Sequence, residues 1–297
     1  MYFSIIIPTY NRADLIEKTL KSVFDQKYNK FEIIIVDNCS TDNTKEVLLP
    51  FIESKKIKFI EHQSNFERSK SRNTGMDHAT GDYVTFLDSD DLMGESCLSD
   101  MAEFLTRTKS TSNIVFNRHS YVDEKGLKIP YFQPRVDLNN PFKQILIGNF
   151  LACIGVFISK KIYEKFRFNE DSVIIGSEDW LYWIEILNSE KSIAMIDKVN
   201  CFIVDHENRT MKQFNPKALE NRVEFIYGIL KSKLNLSSQE LKIFYWSSRI
   251  LVANGYFEAG DRAKAFKMVL KSVIKYPILF FNLRMLILMK NIFFKIK

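Results

Sequence analysis

Apolar and polar positions follow two alternating periods over the first 130 residues. Short β-branched runs of the buried-strand type lie at residues 4–7, 32–37, 57–62 and 83–88. Between these runs, apolar residues recur at helical spacing, as they do from Leu15 to Phe24, and a further helix is predicted at residues 69–79. Buried strands that alternate with helices predict a mostly parallel, doubly wound sheet with helices on both faces.

The pattern changes along the rest of the chain. Further strands are predicted at residues 113–123, 153–159, 192–197 and 201–206, with a helix at residues 178–187. From about Pro216 onward the pattern is helical. We therefore predict an α/β catalytic domain at residues 1–213 and a C-terminal helical region at residues 214–297. The domain divides into a nucleotide-binding half, about 1–91, and an acceptor half, about 92–213.

Composition and the N-terminal segment indicate a sizeable core and a reducing compartment. Hydrophobic residues make up 46% of the 297, including 25 Phe, which supplies a sizeable core. The four cysteines form no C-x-x-C pair, as expected in a reducing cytosol. The apolar run in MYFSIIIPTYNR is too short for a signal peptide and is stopped by Pro8. These features predict a cytoplasmic protein.

The excess positive charge lies in the tail. From Asp261 to the end there are nine basic residues and one acidic residue, against 33 and 35 in the remainder. Lys264, Lys267, Lys271 and Lys275 form a basic stripe at helical spacing, ahead of an aromatic-rich stretch at 277–297 whose polar interruptions prevent a membrane span. This pattern favours docking on an anionic surface, the inner face of the cytoplasmic membrane. The alternative is a helical pair packed on the catalytic domain or on a second copy. No nucleic-acid recognition motif is present.

Polar segments follow three of the predicted strands. They lie at residues 8–12, 37–43 and 88–91, and the carboxyl ends of parallel strands meet at one edge of a sheet. The chain has neither G-x-G-x-x-G nor G-x-x-x-x-G-K-[ST], so a bound diphosphate needs another source of positive charge. Asp88 and Asp90 are spaced to share a hard divalent cation, Mn²⁺ or Mg²⁺. The alternative is a solvated acidic turn, and Asp91 is assigned to the helix that follows.

Four segments, taken in order, resemble one enzyme family. SIIIPTYNR, EIIIVDNCSTDNT, SRNTGMDHATGDYVTFLDSDD and SEDWLYW are similar to the inverting GT-A glycosyltransferases of family 2, of the bacterial cell-surface polysaccharide type. The match runs from residue 3 to about residue 210. The resemblance implies a GT-A fold and transfer of a sugar from a nucleotide donor, usually a UDP-sugar, to an acceptor hydroxyl. It also favours a glycan or lipid-linked saccharide as the acceptor.

The resemblance also implies roles for individual residues. The nucleotide-binding residues it implies are Pro8, Thr9, Tyr10, Asn11, Arg12, Asp37, Asn38, Arg72 and Ser89. Asp37 matches the carboxylate that accepts the uracil imide N–H, a pairing that bases without an imide donor do not offer. Asp90 and Asp88 match the metal-binding D-x-D pair, and His206 occupies the place where some relatives contact metal or diphosphate.

The base and the acceptor contact follow from the same match. Asp179 matches the family's catalytic base, with Glu178 as a second candidate, and single displacement needs only one such base. Trp180 is a candidate for stacking on a sugar ring, although Trp at this spacing also fits core packing. Two alternatives remain open: a sugar nucleotidyltransferase, which favours a glycine-rich loop after the first strand, and an inactive carbohydrate-binding or scaffold protein.

Overall fold

The computed structural model describes residues 1–109, 112–130, 136–207 and 215–277. Its strands are β1 (Phe3–Thr9), β2 (Phe31–Asp37), β3 (Lys58–Glu61), β4 (Tyr83–Phe86), β5 (Leu92–Met93), β6 (Ile114–Asp123), β7 (Lys128–Ile129), β8 (Val156–Ser159) and β9 (Ala194–Asp205). Its helices are α1 (Ile16–Phe24), α2 (Thr44–Glu53), α3 (Glu67–Asp77), α4 (Cys97–Arg107), α5 (Pro141–Ile147), α6 (Lys160–Tyr163), α7 (Glu178–Ser189), α8 (Pro216–Lys233), α9 (Ser238–Glu258) and α10 (Arg262–Lys275), with a 3-10 turn at Ser172–Ile174.

The strands form one sheet in the order β3-β2-β1-β4-β8-β6-β9-β5, with β7 beside β6. Strands β1 to β4 are parallel, with Phe3 opposite Phe31 on one side and Tyr83 on the other. β8 runs antiparallel to β4 and β6, whereas β6 and β9 are parallel. The chain extends from β1 toward β3 and then returns to place β4 on the other side of β1. Ligands bind at such a reversal point in open α/β sheets.

Side chains of β1 and β2 alternate between two buried clusters. Ile5 and Ile33 pack with the helices α1 and α4, while Ile6 and Ile34 belong to the cluster on the opposite face. This is the two-residue period of a strand whose faces are both covered, as a buried parallel sheet requires. The predicted fold class is therefore confirmed.

Helix α3 lies unusually close to the sheet. A Cβ at Gly75 would lie 2.3 Å from the Cγ2 of Ile6, so only glycine permits this approach. The close packing buries the polar side chains of Arg72 and Asn73, which α3 carries on the sheet side. Burial of a cation at this point shapes the site described below.

The C-terminal helices share a core with the sheet. Trp180 of α7, Val223 of α8 and Phe244 of α9 belong to the same buried cluster as Ile6. Helix α9 begins with a capping box formed by Ser237 and Glu240. The predicted helical character from Pro216 onward is confirmed through α10. Most of residues 277–297, the aromatic-rich stretch, lies outside the described residues, and the domain boundary at residue 213 stays a prediction.

Two local predictions are wrong. The strands predicted at residues 192–197 and 201–206 are one strand, β9, whose pairing with β6 shifts register around Arg118. Asp91 does not cap the following helix, because its carboxylate accepts the backbone N–H of Val204 at 3.0 Å.

Within the described parts of the chain, no helix combines the length and the apolar content that a membrane crossing needs.

Candidate active site

A cleft of about 360 Å³ lies at the carboxyl ends of β1 and β4, where the chain order reverses. Its lining comes from the loops after β1, β2 and β4, from α3 and from the segment before α7: Pro8, Thr9, Tyr10, Arg12, Asn38, Asn65, Glu67, Arg68, Ser71, Asp88, Ser89, Asp90 and Ile175. The three polar segments that the sequence places after strands therefore contribute to one cleft.

Hydrogen bonds join the loops after β1 and β2. Asn11 has a φ of 51°, a left-handed conformation that asparagine tolerates. Its backbone N–H donates to the hydroxyl of Ser40 at 2.9 Å, and its side-chain oxygen accepts the N–H of Thr41 at 2.8 Å. Buried Asp37 accepts the N–H of Ser40 at 3.0 Å. These bonds hold that wall of the cleft in one geometry.

The acidic end of β4 places its two candidate metal ligands against different partners. The Oδ2 of Asp90 lies 3.0 Å from the Nε2 of His206 and 3.3 Å from the Nη2 of Arg12. Asp88 instead accepts a hydrogen bond from Arg72 at 2.8 Å. The sequence-predicted pair Asp90 and His206 is thus brought together, although 116 residues separate them in the chain.

Arg72 bridges the strand end and helix α7 from beneath the cleft. Its Nη2 donates to Asp88 at 2.8 Å and its Nη1 to Glu178 at 3.1 Å. The guanidinium lies over the ring of Phe168, 5.4 Å from the centroid. Arg72 is 1% exposed and contacts Asp88 and Glu178, and the nucleotide-facing role that the resemblance implies for it stays a prediction. It fixes two carboxylates relative to each other and does not line the cleft.

The two acidic residues that begin α7 have opposite electrostatic environments. Burial by itself raises the pKa of Glu178, but the charges of Arg68 and Arg72 outweigh burial and lower that pKa. Burial, together with the negative charge of Glu178, raises the pKa of Asp179 to about 7. The carboxylate of Asp179 accepts hydrogen bonds from the N–H of Trp180 at 2.7 Å and the amide of Asn149 at 3.0 Å.

A carboxyl group with a pKa near 7 exchanges protons at neutral pH, which suits a general base. Its neighbour Glu178 stays ionised and paired with arginine. The local electrostatics thus separate the roles of two adjacent carboxylates, as is common where acid–base chemistry occurs.

Trp180 does not lie where a sugar ring could stack on it. It is 3% exposed, its indole N–H donates to the carbonyl of Ile145 at 2.7 Å, and its ring packs against Phe244 at a centroid distance of 5.1 Å. The expectation of a sugar contact is therefore corrected in favour of core packing.

Sequence reasoning missed several residues of this region. Arg68 and Ser71 line the cleft from α3. Arg68 lies three residues before Ser71 and four before Arg72, and this helical spacing was the available signal. Asn149 and Ile175 come from irregular segments, where no sequence period points to them. Asn149 contacts the carboxylate of Asp179, and Ile175 lines the cleft.

The donor set fits a cation that is shared with a ligand. A carboxylate oxygen and an imidazole nitrogen lie side by side at Asp90 and His206, and both bind Mn²⁺. Among the described residues, no three His, Cys, Asp or Glu side chains are grouped to hold an ion by themselves. The residues present therefore suit an ion whose remaining ligands are diphosphate oxygens and water.

Comparison with known proteins identifies the family. The model of glycosyl transferase family 2 matches residues 4–175, so this chain belongs to that family. An uncharacterized glycosyltransferase from Rickettsia conorii is 34% identical over 197 residues, which are 66% of this chain and 31% of the relative. The chain thus spans about a third of the length of that relative.

Two further comparisons bear on chemistry and fold. The Escherichia coli UDP-Glc:alpha-D-GlcNAc-diphosphoundecaprenol beta-1,3-glucosyltransferase is 26% identical over 199 residues, 67% of this chain and 73% of its own length. A mannosyltransferase structure from Pyrobaculum calidifontis, in complex with GDP-Man and Mn²⁺, superposes with a TM-score of 0.63 at 17% identity. It covers 97% of this chain and 78% of that one. At this identity the likeness concerns the fold.

Proposed function

We propose that this chain is an inverting glycosyltransferase that moves a sugar from a UDP-sugar to an acceptor hydroxyl in one displacement. The observation that carries the proposal is Asp179, whose carboxyl has a pKa of about 7 next to a cleft where Asp88 and Asp90 have cationic partners. Only one general base is required when no glycosyl-enzyme intermediate forms.

The proposed reaction is balanced within the site. Asp179 accepts the proton of the acceptor hydroxyl while the acceptor oxygen bonds to the anomeric carbon of the sugar. The bond from that carbon to the diphosphate oxygen breaks, and UDP leaves with its electron pair. Arg72 keeps Glu178 ionised and fixed, and this charge in turn favours the protonated form of the adjacent Asp179.

We assign a divalent cation to Asp90 and His206, with Asp88, which accepts a hydrogen bond from Arg72 in this structure, as the third predicted ligand. When bound, the ion supplies neutralisation of the charge that develops on the leaving diphosphate. Arg12, which lies 3.3 Å from Asp90, is placed to exchange this carboxylate for a phosphate oxygen when a donor binds. The Mn²⁺ complex of the mannosyltransferase with the same fold supports the assignment.

The uracil base is assigned to the pocket beside Asp37 and Asn38. Asn38 is fixed by its amide, which donates to Asn65 at 2.7 Å and accepts the backbone N–H of Phe66 at 3.0 Å. Asp37 is 1% exposed and already accepts from Ser40. A carboxylate has further lone pairs, so an imide N–H can add to these bonds.

The acceptor is assigned to the class of lipid-linked saccharides. The diphosphoundecaprenol-linked acceptor in the name of the E. coli relative supports this class. A carrier lipid lies in a membrane, so an acceptor of this class requires an enzyme that works at the membrane surface.

Incubation with a panel of UDP-sugars and GDP-mannose, each with Mn²⁺, with Mg²⁺ and with EDTA, tests the proposal. We expect metal-dependent release of UDP from a UDP-sugar, and inversion at the anomeric carbon when an acceptor is added, measured by NMR. Release of pyrophosphate from a nucleoside triphosphate plus sugar phosphate would instead indicate a nucleotidyltransferase. Sugar binding without turnover would indicate an inactive carbohydrate-binding protein.

We also propose that the C-terminal region docks on an anionic membrane surface. Helix α10 exposes Phe266, Leu270 and Ile274 in one row at i, i+4 and i+8. The exposed residues Lys267, Lys271 and Lys275 form the adjacent row. An apolar row beside a basic row suits the headgroup region of anionic lipid.

Liposome co-sedimentation tests the docking proposal. We expect binding to phosphatidylglycerol vesicles that falls when Lys267, Lys271 and Lys275 are changed to Gln, and falls again when residues 277–297 are deleted. Changing the exposed Lys30, Lys55 and Lys125 to Gln is the charge-matched control. Equal loss in both triple variants, or undiminished binding after the deletion, would contradict a docking surface on this region. A concentration-dependent change in mass without vesicle binding would favour a homo-oligomer.

A further inference from the structure

Helix α8 contacts the segment that leads into the proposed catalytic helix. The Nη1 of Arg222 donates a hydrogen bond to the backbone carbonyl of Ile175. Ile175 lines the cleft and lies three residues before Glu178. Arg222 lies outside residues 4–175, which match the family model. A residue of the C-terminal region is therefore bonded directly to a wall of the cleft.

The backbone at this contact is adapted to the arginine. Gly176 has a φ of +86°, a conformation that favours glycine, and an added Cβ would lie 2.3 Å from the Nη1 of Arg222. Gly176 also donates its N–H to the Oε2 of Glu178 at 2.6 Å. The guanidinium, the glycine and the Glu178 carboxylate thus form one connected unit.

The contact made by Arg222 contributes little to the stability of the fold. Its Nε is buried, and none of the described residues accepts its hydrogen. Among the described residues the half-buried Arg222 forms one hydrogen bond and no ion pair, so the desolvation of its guanidinium offsets much of what that bond adds to the free energy of folding. Burial lowers the pKa of Arg222, while the nearby charge of Glu178 opposes that shift.

The segment before Glu178 is anchored on the side that faces α8. Ile174 is fully buried in the cluster that contains Leu219 and Val223 of α8. By contrast Val173, one residue earlier, is 44% exposed. The side of this segment that faces α8 is therefore the side that determines its position.

We propose that Arg222 is a positioning residue that holds the Ile175–Gly176 segment so that Glu178 stays on Arg72 and Asp179 is presented to the acceptor. This inference rests on the proposed function for its catalytic consequence. It makes the C-terminal helical region a component of the active site, acting through the backbone of residues 175–178 without touching the substrate.

Three arginine variants test the proposal. We expect Arg222→Met to lower kcat by about 10- to 100-fold, the size expected for a misplacement near 1 Å, and to raise KM for the donor, while Tm stays the same or rises. Arg222→Lys retains a donor and should recover part of kcat. Arg249→Met is the matched control, because Arg249 pairs with Glu220 at 3.2 Å inside the C-terminal region. It should lower Tm and leave kcat of the folded protein unchanged.

Two measurements are independent of sugar transfer. Amide hydrogen exchange at residues 174–178 should accelerate in Arg222→Met and not in Arg249→Met, and calorimetry should detect weaker UDP binding only in the former. If the parent protein turns over no nucleotide sugar, the proposed function fails while these measurements still decide the positioning role. Parental exchange, UDP binding and kcat in Arg222→Met would overturn it.

A double-variant cycle sharpens the test. Gly176→Ala displaces the guanidinium as well as straining the backbone, so Arg222→Met added to it should cost little more than Gly176→Ala alone. Losses that multiply would mean that the two residues act independently, and would overturn the proposed unit.

Discussion

The carboxylates at the end of β4, the proposed donor side, and those that begin α7, the proposed acceptor side, have different partners. At the end of β4, Asp88 accepts from Arg72 at 2.8 Å, and Asp90 lies within 3.3 Å of both Arg12 and His206. At the start of α7, Asp179 accepts hydrogen bonds from the neutral N–H groups of Trp180 and Asn149. The first group is paired with cations, whereas Asp179 has neutral hydrogen-bond donors and a raised pKa.

The difference follows from where the arginines lie. Arg68 and Arg72 project from α3 toward Glu178, so the first carboxylate of α7 takes the cations. The second carboxylate is partly buried beside that negative charge, and its pKa rises to about 7. Adjacent residues of one helix therefore acquire opposite roles through tertiary contacts alone.

The largest expected effect is that of Asp179→Asn. Removing a general base lowers turnover by about 10² to 10⁴ fold, and UDP binding should persist because Asp179 is absent from the cleft lining. Initial rates of UDP release with an acceptor, beside calorimetry with UDP, measure the two quantities. Asp197→Asn, which changes an exposed carboxylate, is the control. Undiminished turnover would move the base to Glu178 or elsewhere.

The next largest effect is expected for Arg72→Met. This change leaves Glu178 buried and Asp88 without the guanidinium, and loss of one partner from a buried ionic cluster costs about 3–5 kcal/mol of unfolding free energy. Urea denaturation at pH 7 measures it. Arg118→Met removes a partly exposed pair with Asp197 and should cost no more than about 1 kcal/mol. Similar losses in both variants would contradict the bridging role.

The pH dependence separates the two sides further. Turnover should fall about tenfold per pH unit below about pH 7, since Asp179, the proposed base, can accept a proton only when ionised. Because folding raises the pKa of Asp179, the folded state binds more protons than the unfolded state at pH values between the ordinary pKa of an aspartate and about 7. Unfolding free energy therefore decreases as pH rises through that window.

The lowered pKa of Glu178 gives the opposite sign, with stability lost as pH falls through the folded-state value. Urea titrations of Asp179→Asn and Glu178→Gln between about pH 3 and 8 compare the two contributions. The first variant should lose the falling slope. The second should lose the rising slope and also weaken the falling one, because the charge of Glu178 helps to raise the pKa of Asp179. Parallel changes in both variants would mean that the carboxylates share one environment.

The smallest effect is expected for Asn149→Ala. Asn149 donates one neutral hydrogen bond to Asp179, and its loss raises the pKa of that carboxyl further, moving the midpoint of the turnover profile upward by less than about one pH unit. Asn140→Ala is the control, because Asn140 caps α5 by accepting the N–H of Lys143 at 3.1 Å. It should lower stability and leave the midpoint unchanged.

Much of the site on the strand ends was predictable from the sequence. A run of β-branched residues indicates a buried strand, and the residue that follows the strand lies at the edge of the sheet. Asp88, Asp90, Asn38 and the segment after β1 follow this rule. His206 could be placed by the same rule because it follows β9, although its pairing with Asp90 spans 116 residues.

The burial of helix α3 against the sheet could not be predicted from the sequence. Its sequence, ERSKSRNTGMD, has the polarity of a solvated helix, and Arg72 accordingly reads as a residue facing solvent or ligand. Gly75 against Ile6 brings α3 onto the sheet and buries Arg72 instead. Likewise the indole N–H of Trp180, which could have bonded to a sugar, donates to the carbonyl of Ile145. Both outcomes depend on distances between elements, which periodicity does not encode.

The sequence by itself determined the alternation of strands and helices through β4, the family and the edge of the sheet where the candidate site lies, because these depend on local period and chain direction. Only the tertiary structure decided which carboxylate receives the arginines, that Asp179 is left to carry a proton near neutral pH, and that Arg222 of a C-terminal helix supports the segment before it. A pKa and an anchoring contact depend on burial and on charges distant in the chain. Those quantities exist only once the chain has folded.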